Sequence, residues 1–599
     1  MENKTDKKLL TGNEAIARGA YEAGVKVATA YPGTPSTEIL ENIAKYKEIY
    51  CQWSVNEKVA LEVASGASIA GVRVLVAMKH VGLNVASDPF MTLAYTGVNG
   101  GLVIVSADDP FMHSSQNEQD NRFYAKFAKV PMLEPTDSQE ALDLVKEAFR
   151  ISEDFDTPVI LRTTTRISHS RSLVITGSRV KLPERKYEKD AQKYVMIPAY
   201  GRIRHEALLE RWARLKDFCE NEKLHEIFKP RGKNSVNDIG IITSGVSYQY
   251  SREIFYNIPI LKLKITNPLP EKAIRDFSRG KRLLIVIEEL EPFLEEQIRL
   301  LDLGVKITGK DYFPQTGELS LAVLEKVYSQ LFGTNLLSIS DSDKIIEELT
   351  RNLPQRPPVL CAGCSHRSVF YILKKLKVKA MGDIGCYTLS VLPPLSALDS
   401  CLCMGAGIGQ ALGMEKADPD LRNKVVSVIG DSTFFHSGIT PLVDSSYNNG
   451  TGLIIILDNG TTAMTGHQVH PGTGKTLMGA DTKDIKPEAF AAAAGIKNIR
   501  VVDPYDIKTL EKILKEELER KELSVVVCRR KCVLLDRVKV SVSAKFYIDE
   551  STCEKCGICL KFGCPAIELK GNNYSINELL CTSCGVCADI CRSDSIKKK

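Results

Sequence analysis

Two apolar runs in this chain of 599 residues end on oxygen-bearing side chains. VVSVIGDS (425–432) closes on Gly430, Asp431 and Ser432, and GLIIILDN (452–459) closes on Asp458 and Asn459. If both runs are strands of one parallel sheet, Asp431 and Asn459 each present a hard oxygen at its carboxyl edge, where open α/β sheets bind their ligands. That pairing suits Mg²⁺, which is held by one or two protein groups together with phosphate oxygens. Gly430 would let the backbone approach the anion. Each ending alone is also an ordinary turn, made of residues that turns favour.

The second chemistry is that of sulfur. Eight of the 17 cysteines lie within residues 553–591, and the start, MENKTDKKLL, has no apolar signal segment, so metal or cluster ligation outranks disulfides. Cys553, Cys556 and Cys559 stand at CxxCxxC spacing ahead of Cys564-Pro565, and Cys581, Cys584 and Cys587 repeat the spacing ahead of Cys591. The run resembles the double motif of bacterial ferredoxins, where each triple wraps three corners of a [4Fe-4S] cluster and the other half supplies the fourth ligand. The motif implies Cys591 for the first cluster and Cys564 for the second. Four residues separate Cys559 from Cys564 where that pattern has three, an insertion expected to alter the loop. Zinc is the alternative use of such pairs. Cys361 and Cys364 in LCAGCSHR, Cys386 in GDIGC and Cys532 in RRKC are expected to converge on a third cluster, with Cys528 competing for the fourth place. Cys51, Cys219, Cys401 and Cys403 read as structural.

These groups need sheets to position them. Short apolar runs at 25–30, 72–77, 102–106 and 158–162 alternate with helical stretches, which predicts a parallel sheet flanked by helices over residues 1–185. Residues 186–235 read as a charged linker carrying a helix near 206–218, and 236–340 as a small α/β domain opening on IGIITSG. A linker at 341–357 precedes another α/β block, 358–540, and the cysteine-rich module fills 541–599. The expected class is therefore multidomain α/β: two doubly wound domains, a smaller α/β domain between them, and a C-terminal α+β two-cluster module. Lys plus Arg number 79 against 74 Asp plus Glu, a net charge of +5. That balance gives no ground for a nucleic-acid or membrane partner. The longest apolar runs are of strand length, so a cytoplasmic protein is expected.

The GDS and DN endings resemble the thiamine-diphosphate signature, GDG followed by NN, with Asp431 and Asn459 at its two metal-ligand positions and Ser432 and Asp458 as departures. Together with AYPGTPSTE (30–38) and TTAMTGHQ (461–468), they resemble the 2-oxoacid:ferredoxin oxidoreductases. The order YPGTPS, LCAGCSHR, GDSTFFHSG, LDNGTTAMTGHQ and the double cysteine run resembles, within them, the alpha-subunit family that acts on indolepyruvate. The resemblance implies thiamine diphosphate and Mg²⁺, with residues 1–185 binding the pyrimidine, 236–340 like a transketolase C-terminal domain, and 358–540 binding the diphosphate. Gly430, Asp431, Asn459 and the Thr461 carbonyl would hold the diphosphate and metal, with Tyr31 and His366 beside the cofactor and the third cluster next to it. Thiamine needs a carboxylate against N1′ of its pyrimidine so that the 4′-imino group can take the thiazolium proton. In WSVNEKVALEVASGAS the family's Glu, ten positions ahead of a helical Ala, matches Glu57 and Ala67, which leaves Glu62 as a solvated helix residue. Arg122 is expected to grip the oxoacid carboxylate through bidentate geometry, with Thr34 bordering the substrate and His80 as a further pocket candidate.

The family decarboxylates an aryl 2-oxoacid oxidatively, passes electrons singly through clusters to ferredoxin, and hands the acyl group to coenzyme A. The resemblance implies a smaller beta subunit of gamma type and a dimer of heterodimers. Three alternatives stay open: a non-oxidative decarboxylase with an accessory tail, an oxidoreductase for pyruvate or branched-chain oxoacids, and an electron-transfer subunit without thiamine.

Overall fold

The computed structural model describes residues 6–183, 185–230, 235–333, 340–351, 353, 354, 356–535 and 545–599. The expected boundary at 540/541 lies outside the described residues. The chain divides into two compact units, Met1–Leu353 and Pro354–Lys599.

The first unit is built on a sheet of seven strands. Their order is Ile265–Asn267, Met132–Leu133, Val159–Thr164, Leu102–Asp108, Val74–Lys79, Val27–Ala30 and Tyr50–Trp53, all parallel except the first. Leu102, Val103, Ile104 and Val105 are fully buried, because helices cover both faces of such a sheet and leave no polar side to its strands. The antiparallel edge comes from the region expected to form the small domain. That region's own sheet has five strands, Lys306–Thr308, Leu283–Ile287, Ile239–Ser244, Ile260–Leu263 and His225–Phe228.

The linker region is more ordered than its composition suggests. Its strand His225–Phe228 pairs antiparallel with Ile260–Leu263. The helix Pro198–Phe218 buries Leu208 and Leu215, and Arg204 Nε donates to the Tyr95 carbonyl at 2.9 Å. A charged helix thus caps carbonyls of its neighbour, a use of Arg that composition does not reveal.

In the second unit five parallel strands run in the order Lys379–Met381, Val425–Gly430, Leu453–Asp458, Ser524–Arg529 and Asn498–Val502. Val425–Gly430 and Leu453–Asp458 are neighbours, with Gly430 opposite Leu457, so their carboxyl ends lie side by side. The tail joins Phe546–Ile548 to Ile596–Lys598 and forms a hairpin of Ile567–Lys570 with Asn573–Ile576. Its two cysteine triples are folded alike: φ is positive at Lys555 (53°) and Gly557 (72°) in one and at Ser583 (61°) and Gly585 (81°) in the other. Residues in that region turn the chain sharply, which bends each CxxCxxC loop around a common centre. Phe562, two residues before Cys564, is 4% exposed in the core of the second unit, edge-on to Tyr371 at 5.4 Å. This ring packs the module against the sheet domain.

Among the described residues, no helix is long and apolar enough to cross a membrane.

Candidate active site

Asp431 and Asn459 meet at the carboxyl edge of the second unit's sheet. The Asn459 and Gly460 amides donate to Asp431 Oδ2 at 3.1 and 2.7 Å, and the Ser432 amide to Oδ1 at 2.8 Å. His470 Nε2 stands 3.2 Å from Oδ2. Burial acts to raise the Asp431 pKa, but His470 and the amides outweigh it and hold the carboxyl below the usual carboxylate range. Asp431, Asn459 and Thr461 are all buried. A carboxylate, an amide oxygen and a backbone carbonyl at two adjoining strand ends form an all-oxygen donor set, which fits Mg²⁺. Among the described residues no three His, Cys, Asp or Glu side chains close around a single metal ion. Asp458 pairs with Arg529 at 2.6 Å and also lies against Asp431; burial and that neighbouring carboxylate raise its pKa.

Gly430 has a different role from the expected one. A Cβ there would lie 2.9 Å from the Tyr387 ring, and the Gly430 amide donates to the Tyr387 hydroxyl at 2.9 Å. Glycine is needed to seat a tyrosine, and its amide is already engaged. Asn459 Nδ2 donates to His366 Nε2 at 3.3 Å, and burial pushes the His366 pKa down to about 4 against the pull of Asp431. The imidazole is neutral at pH 7. His470 was not read from the sequence; its signal was the HQVH run that follows the Thr461 segment.

The four expected cysteines of the third set come together. Cys364, whose pKa burial pushes up to about 12, feels Cys361 and Cys386, and Cys386 feels Cys532 and Cys361. The Cys532 amide donates to the Asn459 carbonyl at 2.9 Å, so a cysteine of this set hangs directly from a candidate metal-ligand residue. Cys528 lies inside the strand Ser524–Arg529, 3% exposed, and its pKa is raised by burial alone. Among the described residues no cysteine acts on it, which favours Cys532 for the fourth place. In the tail, Cys564, Cys581, Cys584 and Cys587 line one small cavity, so the four thiols expected on one cluster face a common space. Cys553 and Cys556 act on Cys559. Cys591 lies among the amides of Ser593, Ser595 and Ile596, which outweigh burial and hold its thiol below the usual range.

In the first unit, Glu57 opens the helix Glu57–Ile69, with Asn56 as its N-cap accepting from the Val59 amide. The carboxylate is buried, 4% exposed, at a helix N-terminus that favours negative charge. Gly82 leaves room for it: a Cβ there would meet Glu57 Oε1 at 2.6 Å. Glu62 is exposed and paired with Lys58, as expected. Tyr31 is buried, and Thr34 is half-buried in the loop after Val27–Ala30. The Thr34 carbonyl accepts from Ser114 Oγ at 3.2 Å.

Arg122 corrects the sequence reading. Its guanidinium, 1% exposed, donates to both oxygens of Asp120 (2.5–3.0 Å), to Glu288 (2.6 Å) and to the carbonyls of Glu289 and Glu291. Two buried carboxylates consume the fork, so it binds the loop after Leu283–Ile287 to the first sheet instead of facing a substrate. His80 is fully buried, with Nε2 3.1 Å from the Asn117 carbonyl. The cation near the Thr34 loop is its neighbour Lys79, which ends the strand Val74–Lys79 and donates to the Ser114 carbonyl at 2.8 Å. Gly33 packs on its stem, where a Cβ would come within 3.2 Å. Burial lowers the Lys79 pKa to about 8, against the opposing influence of Asp109 and Glu57. Lysine at a strand's carboxyl end was the available signal; MKHVGLN drew attention to its histidine instead.

Three stretches of the chain match known domain families. Residues 18–208 match the thiamine diphosphate-binding domain of pyruvate flavodoxin/ferredoxin oxidoreductase, 383–528 the C-terminal TPP-binding domain of thiamine pyrophosphate enzymes, and 545–592 the 4Fe-4S dicluster domain. Thiamine diphosphate and two [4Fe-4S] clusters are thus cofactors of these domains. The chain is 40% identical to the indolepyruvate oxidoreductase subunit IorA of Archaeoglobus fulgidus over 99% of this chain and 97% of that one. It is 41% identical to IorA of Pyrococcus horikoshii over the same shares. The 2-oxoglutarate synthase subunit KorA of A. fulgidus is 27% identical, over 47% of this chain and 87% of its own length.

Proposed function

Because the chain belongs to the family of the indolepyruvate oxidoreductase subunit IorA, we propose that it oxidatively decarboxylates an aryl 2-oxoacid of the indolepyruvate class. The products are the aryl-acetyl-coenzyme A and CO₂, and the electrons leave through [4Fe-4S] clusters to ferredoxin. The observation that carries this reading is the Cys532 amide bonded to the Asn459 carbonyl at 2.9 Å: the candidate metal edge and the candidate cluster ligands share one turn of chain.

Bound thiamine diphosphate supplies a stabilised carbanion centre, and the protein's part is to position and to manage charge. Asp431, Asn459 and the Thr461 carbonyl would hold Mg²⁺. Glu57, dry and at a helix N-terminus, would keep a proton at the pyrimidine N1′. His366, neutral, orients Asn459. Lys79 would meet the oxoacid carboxylate in the place first given to Arg122, with Thr34 bordering the same loop. Cys361, Cys364, Cys386 and Cys532 would bind the first electron acceptor, and the two tail clusters the next two, with Cys591 completing the set of Cys553, Cys556 and Cys559. The partners proposed are ferredoxin, coenzyme A and a smaller beta subunit in a dimer of heterodimers.

Product analysis tests the reading. Anaerobic enzyme with its partner subunit, indolepyruvate, coenzyme A and ferredoxin is expected to yield the acyl-coenzyme A with reduced ferredoxin in proportion. Release of the aldehyde alone, with ferredoxin left oxidised, would establish the non-oxidative alternative instead.

A further inference from the structure

The second unit buries a positive charge among cysteines. Arg367 lies in the first turn of the helix His366–Leu376 and is 3% exposed. Its Nη2 donates to the carbonyls of Leu360 and Cys361 at 2.6 and 3.1 Å, and its Nη1 to the carbonyl of Gly563. One hand of the fork thus holds the loop that carries Cys361 and Cys364, and the other holds the residue before Cys564. Its Nε is buried with no acceptor among the described residues. The ionisable groups that face it are thiols: Cys564, Cys364, Cys361 and Cys584.

The two cysteine loops it joins are also packed together directly. Gly363, inside the Cys361–Cys364 pair, faces Thr582, inside the Cys581–Cys584 pair, so closely that a Cβ would lie 2.1 Å from the threonine hydroxyl. Arg367, Gly363 and Cys364 line the same cavity as Cys564, Cys581, Cys584 and Cys587. An isolated buried cation is costly unless an anion meets it. Among the described residues no carboxylate does. Four thiolates around a cubane give a net anionic group, so the charge is compensated when the clusters are in place.

We propose that Arg367 is the cation shared by two adjoining iron-sulfur sites, one on Cys361, Cys364, Cys386 and Cys532 and one on Cys564, Cys581, Cys584 and Cys587. There it raises the reduction potentials of both and so sets the step by which an electron enters the tail. The inference rests on the cluster reading of the preceding section. A fixed positive charge in a low-dielectric site stabilises the added electron of a reduced cluster, and cluster potential follows local charge and hydrogen bonding. Arg367 acts through the clusters and is a positioning residue. The remaining tail set, Cys553, Cys556, Cys559 and Cys591, is not among the thiols that face it and serves as the internal control.

The test is a potentiometric titration followed by electron paramagnetic resonance on the anaerobically loaded holoenzyme, comparing the parent with Arg367→Met and Arg367→Lys. In Arg367→Met the reduction equilibria of the two adjoining clusters are expected to shift at least tenfold toward the oxidised form, which is 59 mV for a one-electron couple. The cluster on Cys553, Cys556 and Cys559 should move less than twofold. Arg367→Lys, which keeps the charge, should restore the parent potentials and the parent iron content. If the Met variant loses iron and the Lys variant retains it, the charge is again what the site needs. Equal behaviour of the Met and Lys variants, both shifted or both unshifted, would overturn the proposal. Failure of the underlying cluster reading looks different: the parent itself would lack the signals.

Discussion

Gly82→Ala is the substitution that separates the position of Glu57 from its mere presence. Gly82 lies inside the helix His80–Val85, where alanine is the better helix former by about 1 kcal/mol. Its added Cβ would stand 2.6 Å from Glu57 Oε1, 2.7 Å from Cγ and 2.9 Å from Cδ. Ordinary contact begins at 3.4 Å, so the carboxylate must retreat by about 0.8 Å. The clash falls on the mobile end of a side chain, not on backbone, and the fold can absorb it. A misplacement of about 1 Å at a catalytic group costs roughly 10²-fold in rate. The expected result is therefore a protein of parental or higher melting temperature whose oxoacid-dependent dye reduction falls about a hundredfold by that reasoning. In a Glu57→Asp background the shorter side chain makes room, so adding Gly82→Ala should cost little more, a non-additivity that marks direct contact. Full turnover in Gly82→Ala beside an inactive Glu57→Gln would refute the reasoning.

Arg122→Met should lower stability by about 3–5 kcal/mol, because it strands the buried carboxylates of Asp120 and Glu288; a raised KM with an unchanged melting curve would return Arg122 to the substrate. Lys79→Met should raise the KM for the oxoacid more than tenfold with kcat less affected. In the parent, kcat/KM should fall as pH rises through about 8, where the Lys79 ammonium loses its proton, and Lys79→Arg should extend the plateau to higher pH, since a guanidinium stays charged. Phe562→Ala removes a buried ring from the second unit's core and should cost about 3–5 kcal/mol, read as an earlier thermal transition. Glu62→Gln, at an exposed ion pair, should leave both rate and stability unchanged.

Much of this was legible in the sequence because the features are local. Asp431 and Asn459 close the mostly apolar stretches VVSVIG and LIIILD, and a buried parallel strand writes itself as such a stretch. The cysteine triples are read by spacing alone. What escaped depends on partners distant in the chain. Arg122 looked like a substrate cation because nothing near it announces Glu288, 166 positions away. Lys79 lies within four residues of Gly82, yet only the folded sheet brings it to Gly33 and Ser114. The choice between Cys528 and Cys532 turned on strand register: Cys528 is paired inside the sheet opposite Leu457, and Cys532 lies beyond its end. The helix Pro198–Phe218 was visible as a helix, but its arginines bind carbonyls that no linker reading predicts.

The central claim is that oxoacid chemistry at one sheet edge empties its electrons into clusters on the same chain. The direct test is to mix oxidised, cluster-loaded holoenzyme anaerobically with indolepyruvate and coenzyme A, with no dye or ferredoxin, and to follow the iron-sulfur absorbance. The account predicts that the absorbance bleaches on substrate addition, and that Asp431→Ala and Glu57→Gln abolish the bleaching while leaving dithionite reduction intact. Carbon dioxide release without any bleaching, or bleaching undiminished in both variants, would contradict it.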